Sequence, residues 1–183
     1  LHKHILGDIY DWAGQSRLID MQKSEPVLSG MSVKYGHYKQ IPNEIEEVIN
    51  QLKNANLRNL DSYEQKAEAF SKGFAKLWQV HPFREGNTRT VTEFCAQYAA
   101  TQDIFIDRKL FAHNALFARN ALVMASVGEY SDFSHLNRLV KDAMEIGEQA
   151  RVSVMGKDEQ TKSTSKDIFS LKGLKDIDAE IKE

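Results

Sequence analysis

The polar residues of segment 78–94, WQVHPFREGNTRTVTEF, have types and a spacing suited to phosphate chemistry. An imidazole, a carboxylate, a glycine, a carboxamide and two guanidiniums lie within nine residues, at His81, Glu85, Gly86, Asn87, Arg84 and Arg89. Histidine exchanges protons near neutral pH, a carboxylate is a hard ligand for Mg²⁺, and the planar fork of arginine matches phosphate oxygens. The segment therefore predicts a base, a metal ligand and an anion clamp in one place.

Apolar residues at helical spacing flank this polar segment on both sides. The preceding series is Tyr63, Ala67, Phe70, Phe74 and Leu77, and the following series is Val91, Phe94, Cys95 and Tyr98. Each series traces one face of an α-helix. We therefore expect a tight connection between two core helices, with the second helix beginning inside the polar segment.

The start of that second helix is a natural binding site for an anion. Its first backbone N–H groups lack partners within the helix, and the peptide dipoles add positive potential there. Gly86 has no side chain and lets a ligand approach the backbone closely, and phosphate is a common ligand at such a site. The alternative interpretation is a solvated loop between two helices, without a binding role.

The run HPFREGNTR, His81–Arg89, resembles the signature of the Fic (filamentation induced by cyclic AMP) family, His-x-Phe-x-(Asp/Glu)-Gly-Asn-(Gly/Lys)-Arg. Eight of its nine positions fit, and the upstream run HILGDIYDWAGQSR, His4–Arg17, resembles the opening helix and turn of the family. The resemblance covers about residues 1–147. It implies an all-α fold, a compact Fic-type helical bundle, and the transfer of AMP from ATP to a hydroxyl side chain of a target protein.

The resemblance also implies roles for single residues. His81 would be the general base, Glu85 would hold Mg²⁺, and Phe83 would anchor the loop in the core. Gly86 and Asn87 would bind the α-phosphate, and Arg89 the outer phosphates. The nucleotide-binding set implied in this way is Phe83, Arg84, Gly86, Asn87, Thr88 and Arg89. The implied cofactor is Mg²⁺, the co-substrate is ATP, and the partner is a protein with a reactive Ser, Thr or Tyr.

Two positions depart from the family pattern. Thr88 stands where Gly or Lys is usual, and Thr92 stands where a further Arg is usual. Loss of a charged contact at residue 92 costs on the order of 1.5–3 kcal/mol. Two alternatives to AMP transfer follow: transfer of another phosphate-linked group such as UMP or phosphocholine, or a degenerate domain that binds nucleotide or a partner without turnover.

Residues 15–42 are the least helical part of the chain. Pro26, Ser29-Gly30 and Gly36 interrupt it, and strand-type apolar residues occur at Val27, Leu28, Val33 and Tyr35. We expect a short β-hairpin here. By the resemblance, this hairpin would be a flap beside the active site that binds the target segment by strand addition. The alternative is a loop that covers the core.

Capping residues predict the remaining helices. Asn43 with Glu46 fits the start of a helix, and Asp61 or Ser62 is expected to cap the helix that leads to the polar segment. Asp107 is expected to cap one helix that reaches residue 125. Ser131 or Asp132 is expected to begin another, which continues to Gly147.

The domain organisation predicted is a Fic domain over residues 1–150, followed by a polar linker and a short amphipathic helix within 151–183. The inhibitory family pattern, (Ser/Thr)-x-x-x-Glu-(Gly/Asn), has no match here, because the only Glu followed by Gly or Asn is Glu85 itself. We therefore expect no inhibition of that type within these residues. A separate antitoxin-like protein, or a segment that precedes Leu1, is the alternative source of inhibition.

The composition narrows the class of protein. Lys and Arg number 24 against 26 Asp and Glu, for a formal charge of −2, so no basic excess favours nucleic-acid binding. A single cysteine suits a reducing compartment, and no run of 18 apolar residues predicts a membrane span. We expect a cytoplasmic bacterial protein, with delivery into a host cell as the alternative. Because the chain begins at Leu1 rather than Met, we also expect it to be part of a longer protein.

Overall fold

The computed structural model describes residues 1–154, and the regular structure in this range is helical. The α-helices are α1 (His2–Leu6), α2 (Ile41–Asn54), α3 (Tyr63–Val80), α4 (Asn87–Thr101), α5 (Arg108–His113), α6 (Ala115–Met124) and α7 (134–154). Short 3₁₀ turns occur at Pro26–Leu28, Tyr38–Gln40, Leu57–Asn59 and Gly128–Tyr130. The expectation of an all-helical architecture is confirmed for these residues.

Helix α3 forms the centre of the core. It begins where the Ser62 side chain accepts a hydrogen bond from the backbone N–H of Gln65, which supplies one of the partners that a helix start lacks. Phe70, Phe74 and Trp78 on its inner face are almost completely buried. The neighbouring helix α2 packs so closely that a Cβ added at Gly73 would overlap the Leu52 side chain. Dense packing of large apolar side chains is the main stabilising contribution here.

The irregular segment before α2 supplies hydrogen bonds to the end of α3. The last carbonyls of a helix have no partners within the helix. The buried Arg17 side chain donates to the carbonyls of Val80 and His81, at 3.3 and 2.8 Å, and the Gly36 N–H donates to Gln79 at 3.1 Å. The segment 17–36 is therefore folded around the end of α3.

The prediction of a β-hairpin flap in residues 15–42 is wrong, because no strand occurs among residues 1–154. The chain does reverse direction, through a closed turn in which the Glu25 N–H donates to the Met31 carbonyl at 3.0 Å. Pro26 has no N–H to donate to a ladder, and Ser29 and Gly30 adopt positive φ. Other polar groups of the segment bind the end of α3 and so cannot pair two strands.

Two helix boundaries also differ from the predictions. Helix α2 begins at Ile41 without a side-chain cap, so the predicted start at Asn43 is two residues late. The single helix predicted from Asp107 to residue 125 is two helices, α5 and α6, because Asn114 leaves helical geometry and its side chain donates to the Leu110 carbonyl at 2.9 Å. Such side-chain competition with the backbone is typical of asparagine. Asp107 does cap α5, as expected.

Residues Leu1–Gly147 form one compact unit, and residues from Glu148 belong to a second. Residues 151–154 are helical, and the rest of the predicted linker and amphipathic helix lies outside the described residues. Within residues 1–154, no helix is both long enough and apolar enough to cross a membrane.

Candidate functional site

A cavity of about 1050 Å³ opens beside the connection between α3 and α4. Its walls come from α1, the α3–α4 loop, and helices α4, α5 and α6. Among the sequence-predicted site residues it is lined by His81, Glu85, Gly86, Asn87, Thr88 and Arg89. Thr92, the second position that departs from the family pattern, also lines it. The tertiary structure thus brings six of the eight predicted site residues to one cavity.

His81 is held in one orientation at the end of α3. It takes left-handed geometry, with φ at 51°, and its backbone N–H donates to the Trp78 carbonyl at 3.1 Å. The Nδ1 atom lies 3.3 Å from the same carbonyl, and a carbonyl only accepts, so Nδ1 carries the proton in this contact. The ring packs between Tyr35 and Trp78, with centroids 4.1 and 5.5 Å away. Nε2 is therefore left with a free lone pair.

The Nε2 atom of His81 is buried and has no hydrogen-bond partner among the described residues. The pKa of this imidazole is lowered from 6.5 to about 3, mainly by burial and next by the positive charge of Lys23. The hydrogen bond to the Trp78 carbonyl acts in the opposite direction. The ring is thus neutral at physiological pH and presents an unpaired acceptor at the cavity wall.

The loop between the two helices is closed by hydrogen bonds to its own backbone. Gly86 begins α4 with φ at 76°, a left-handed geometry that suits glycine. The Asn87 side chain accepts from the Phe83 N–H at 2.8 Å and donates to the Phe83 carbonyl at 2.7 Å. His2 of α1 lies 3.0 Å from the Glu85 carbonyl through Nε2, while its Nδ1 accepts from the Gly14 N–H. The loop shape is therefore fixed from inside and from α1.

The two threonines and the arginine of α4 that line the cavity differ in what they offer to a ligand. The Thr88 hydroxyl accepts a hydrogen bond of 2.9 Å from the indole Nε1 of buried Trp78. Arg89 is exposed, lines the cavity and makes no ion pair with any described residue. Thr92 presents a side chain without charge. Arg89 is thus the cation of the polar segment that is free to meet an anion.

Phe83 and Arg84 are not among the residues that line the cavity. The Phe83 ring packs on the His2 ring, with centroids 3.8 Å apart, and is partly buried. The exposed Arg84 guanidinium lies over the Trp12 ring, 5.5 Å from its centre. Both residues therefore act on the outer side of the loop, where they pack it against the N-terminal segment.

Glu85 places a carboxylate at the cavity, where it forms an ion pair of 3.0 Å with Lys23. The hydrogen bond from Lys23 holds the pKa of Glu85 below its usual range. No group of three or more His, Cys, Asp or Glu side chains within residues 1–154 is arranged to hold a metal. One accessible carboxylate is nevertheless what Mg²⁺ needs when phosphates and water supply its other ligands. The donor set fits a metal that arrives with a phosphorylated substrate.

Several residues of the site were not found by sequence reasoning. Arg17 binds the end of α3, Lys23 pairs with Glu85, and the buried Glu25 forms an ion pair of 2.7 Å with Arg119, a residue of α6 that lines the cavity. Arg17 lies in a run that carries the family resemblance, although no role followed from it. Lys23 and Glu25 lie in a segment without periodicity, so no pattern marks them.

Comparisons with known proteins identify the family of the chain. Residues 1–99, more than half of the chain, match the model of the Fic/DOC family. Over 110 residues, or 58% of the chain, the sequence is 38% identical to protein adenylyltransferase VbhT of Bartonella schoenbuchensis, of which this region covers 21%. Over 100 residues, or 51% of the chain, it is 38% identical to the probable protein adenylyltransferase y4lH of Sinorhizobium fredii, of which it covers 46%. The chain thus spans less than half of the length of either curated relative.

Solved structures share the fold. The BepC protein of Bartonella tribocorum, crystallised with bound AMPPNP, is similar with a TM-score of 0.63 and 22% identity, over 78% of this chain and 70% of that one. An N-terminal Fic domain of Bartonella quintana with bound ADP gives a TM-score of 0.56 at 22% identity, over 78% and 68% of the two chains. At this level of identity the likeness concerns the fold.

Proposed function

This chain belongs to the Fic/DOC family, and from that membership we propose that it transfers AMP from Mg·ATP to a Ser, Thr or Tyr hydroxyl of a target protein. The observation that carries the proposal is the buried, unpaired Nε2 of His81 beside a helix start that bears Gly86 and Arg89. The names of the two curated relatives, both adenylyltransferases, support the same activity.

His81 is the proposed general base. Its Nε2 accepts the proton of the target hydroxyl as the hydroxyl oxygen bonds to the α-phosphorus of ATP. The bond from that phosphorus to the bridging oxygen of the β-phosphate breaks, and pyrophosphate leaves with the electron pair. A bound triphosphate brings negative charge close to the ring, and negative charge raises the pKa of an imidazole. Substrate binding therefore makes the base stronger than it is in the empty cavity.

The start of α4 is the proposed anion cradle. The backbone N–H groups that follow Gly86 have no partners within the helix, and the helix dipole favours negative charge at this end. Arg89 adds a guanidinium for the outer phosphates, where charge develops as pyrophosphate leaves. Because both ends of the Asn87 amide bind the backbone of Phe83, Asn87 contributes by keeping the cradle in shape.

Glu85 is the proposed ligand of Mg²⁺. A magnesium ion would supply positive charge to the phosphates and help to orient them. Phe83 and Arg84 contribute indirectly, by holding the outer side of the loop. The proposed partner is a target protein, and inhibition by a separate antitoxin-like chain is a further proposal from the family resemblance.

The activity is tested with α-labelled ATP and purified protein, alone and in a cell lysate. We expect label on a protein band, and we expect His81→Ala to lower the labelling rate by about 10²-fold or more, the usual contribution of a general base. His113→Ala is the matched control, because His113 is exposed and is not among the residues that line the cavity. Equal labelling by the His81→Ala variant would contradict the assignment of the base.

A second candidate function rests on residues 88 and 92. The Thr88 side chain would lie beside the phosphates, and its hydroxyl already accepts a hydrogen bond from Trp78. Because residue 92 is threonine, α4 brings no second arginine to the cavity. Both features favour a different phosphate-linked donor, such as UTP or a phosphocholine donor, or nucleotide binding without turnover. A panel of labelled donors, together with calorimetry on ATP and Mg²⁺, separates these alternatives from AMP transfer.

A further inference from the structure

Lys23 is a cation of the cavity that has no role in the proposed chemistry so far. Its Nζ lies 3.0 Å from Oε1 of Glu85, although 62 residues separate the two in the sequence. The side chain lines the cavity and is 22% exposed.

The backbone around Lys23 is anchored on both sides. The Lys23 N–H donates to the Ser32 hydroxyl at 3.1 Å. Two residues later, the Glu25 carboxylate is 1% exposed and accepts hydrogen bonds from Tyr35 Oη at 3.0 Å and Arg119 at 2.7 Å. A buried carboxylate with two donors is a firm attachment. The backbone at Lys23 is thus held in place, and the long side chain can change its partner while the backbone stays fixed.

The partner of Lys23 distinguishes it from the other cations of the cavity. Arg108 pairs with Glu93 at 3.2 Å, and Arg119 pairs with the buried Glu25. Lys23 instead pairs with Glu85, the carboxylate proposed to hold Mg²⁺. A divalent cation held by Glu85 would compete with the ammonium for the carboxylate and would release it. The released ammonium would then offer a free positive charge to the phosphates.

We propose that Lys23 is a phosphate-binding residue of this site, which pairs with Glu85 before the metal binds and with the phosphates of the nucleotide afterwards. The inference rests on the proposed function. It explains how the cavity retains a second cation for the phosphates although residue 92 is threonine. Lysine suits this exchange because its ammonium is a compact charge on a flexible chain, whereas arginine favours one fixed geometry.

The first measurement is nucleotide binding without metal. ATP is titrated into the protein in excess EDTA, by calorimetry, for the wild type and for Lys23→Met. We expect only a small loss of affinity in the variant while Glu85 holds Lys23, and a loss of about tenfold or more when the titration is repeated in excess Mg²⁺, because the released ammonium then binds the phosphates. Lys23→Arg should recover part of the affinity, since it keeps the charge. Lys39→Met is the matched control, because Lys39 is exposed and is not among the residues that line the cavity.

The second measurement is a double-mutant cycle with Glu85→Gln under the same conditions. Removal of the carboxylate frees Lys23, so Glu85→Gln alone should bind ATP more tightly than the wild type. Lys23→Met should then cost more in the Glu85→Gln background than in the wild type. Equal effects of Lys23→Met in both backgrounds would mean that the two residues do not exchange partners, and would overturn the proposal.

The third measurement is metal binding without nucleotide, with Mn²⁺ as a paramagnetic stand-in for Mg²⁺. Lys23→Met should bind Mn²⁺ about two- to fivefold more tightly, because an exposed ion pair no longer competes for Glu85. If the wild type binds ATP and Lys23→Met binds ATP and Mn²⁺ equally well, the role of Lys23 is refuted and the proposed function stands. If the wild type binds no ATP with or without Mg²⁺, the proposed function itself fails. Circular dichroism of each variant verifies that it is folded.

Discussion

At the scale of single residues, the site depends on which atoms are already engaged. His81 uses Nδ1 on a backbone carbonyl and keeps Nε2 free, whereas Asn87 uses both ends of its amide on Phe83. The Thr88 hydroxyl satisfies the indole of Trp78, whose N–H would otherwise be buried without a partner. Arg89 is unpaired among the described residues. The free groups are therefore a base and a cation, and the engaged groups keep them in position.

The buried imidazole of His81 predicts a pH dependence of stability. Its pKa is about 3 in the folded chain against 6.5 for the free side chain, so between these values the unfolded chain binds a proton that the folded chain excludes. The free energy of unfolding must then fall as pH falls through this window, and the loss from this residue is about 2 kcal/mol between pH 6.5 and about pH 4.5.

This pH dependence is measured by urea unfolding of the wild type and of His81→Asn, which has no titrating ring. The carboxylates contribute equally to the pH dependence of stability in both proteins. The difference between the two curves of unfolding free energy against pH therefore reports the titration of His81. We expect the wild type to lose more stability than the variant as pH falls. Parallel curves for the two proteins would show that His81 titrates normally in the folded chain.

At the scale of elements, the junction of α3 and α4 brings the free groups together. Helix α3 ends in a left-handed residue, and α4 begins in another, at His81 and Gly86. Arg17 binds the carbonyls at the end of α3, and α1 packs against the start of α4 through Leu6 and His2. The direction of both helices at the cavity is thus set by the N-terminal segment, which is itself mostly irregular.

The contact between α1 and Gly86 predicts the effect of an added methyl group. A Cβ at Gly86 would collide with the Leu6 side chain, whereas a Cβ at Gly128 would meet nothing within 4 Å. Both glycines have positive φ, at 76° and 69°, so both alanine variants carry a similar backbone cost. We expect Gly86→Ala to be less stable than Gly128→Ala by about 1 kcal/mol or more, from overpacking alone.

Thermal and urea unfolding of the two alanine variants provide the measurement, and the shared backbone cost cancels in the comparison. Gly86→Ala should also weaken nucleotide binding, because the start of α4 is displaced. If the two variants are equally destabilised, α1 can shift to admit the methyl group without loss of stability. The close approach of α1 then does not constrain the start of α4.

At the scale of the whole molecule, charge is distributed unevenly. The chain carries a formal charge of −2, yet the cavity wall carries Lys23, Arg89, Arg108 and Arg119. Three of these cations pair with carboxylates, so the positive potential is concentrated where Arg89 stands. A low-dielectric cleft lined by cations attracts anionic ligands without making the surface basic overall. This arrangement suits a nucleotide more than a nucleic acid.

The extent of the buried core along the chain also predicts which part of the chain folds by itself. Among the described residues, the fully buried apolar side chains end at Met144, and the compact unit ends at Gly147. We therefore expect a chain of residues 1–150 to fold, with a Tm within about 3 °C of that of the full chain, because none of the buried core residues among those the structure describes is removed. Calorimetry of both chains measures the Tm, and ATP titration compares the site. A chain of residues 1–150 that aggregates or loses binding would contradict the predicted domain boundary.

The sequence predicted the helical parts of the site well, because periodicity is a local property. The apolar faces of α3 and α4, the Ser62 and Asp107 caps, and the junction at His81–Arg89 follow from neighbours in the chain. The prediction of a β-hairpin was wrong because a segment with turn residues and alternating apolar positions can form its backbone hydrogen bonds in more than one way. In this protein the hydrogen bonds to α3 and the closed turn at Glu25 took precedence over a strand ladder.

By itself the sequence determined the types of chemical group and their order, since the His81–Arg89 run places base, carboxylate, glycine and cation on one short loop. Only the tertiary structure decided which of these groups remain free. That outcome depends on contacts between distant residues, such as Lys23 with Glu85 and Arg119 with Glu25. The buried charge of Glu25 needs a partner, whereas Lys23 and Glu85 pair because the fold brings them together. No local pattern in the sequence records which partner the fold supplies.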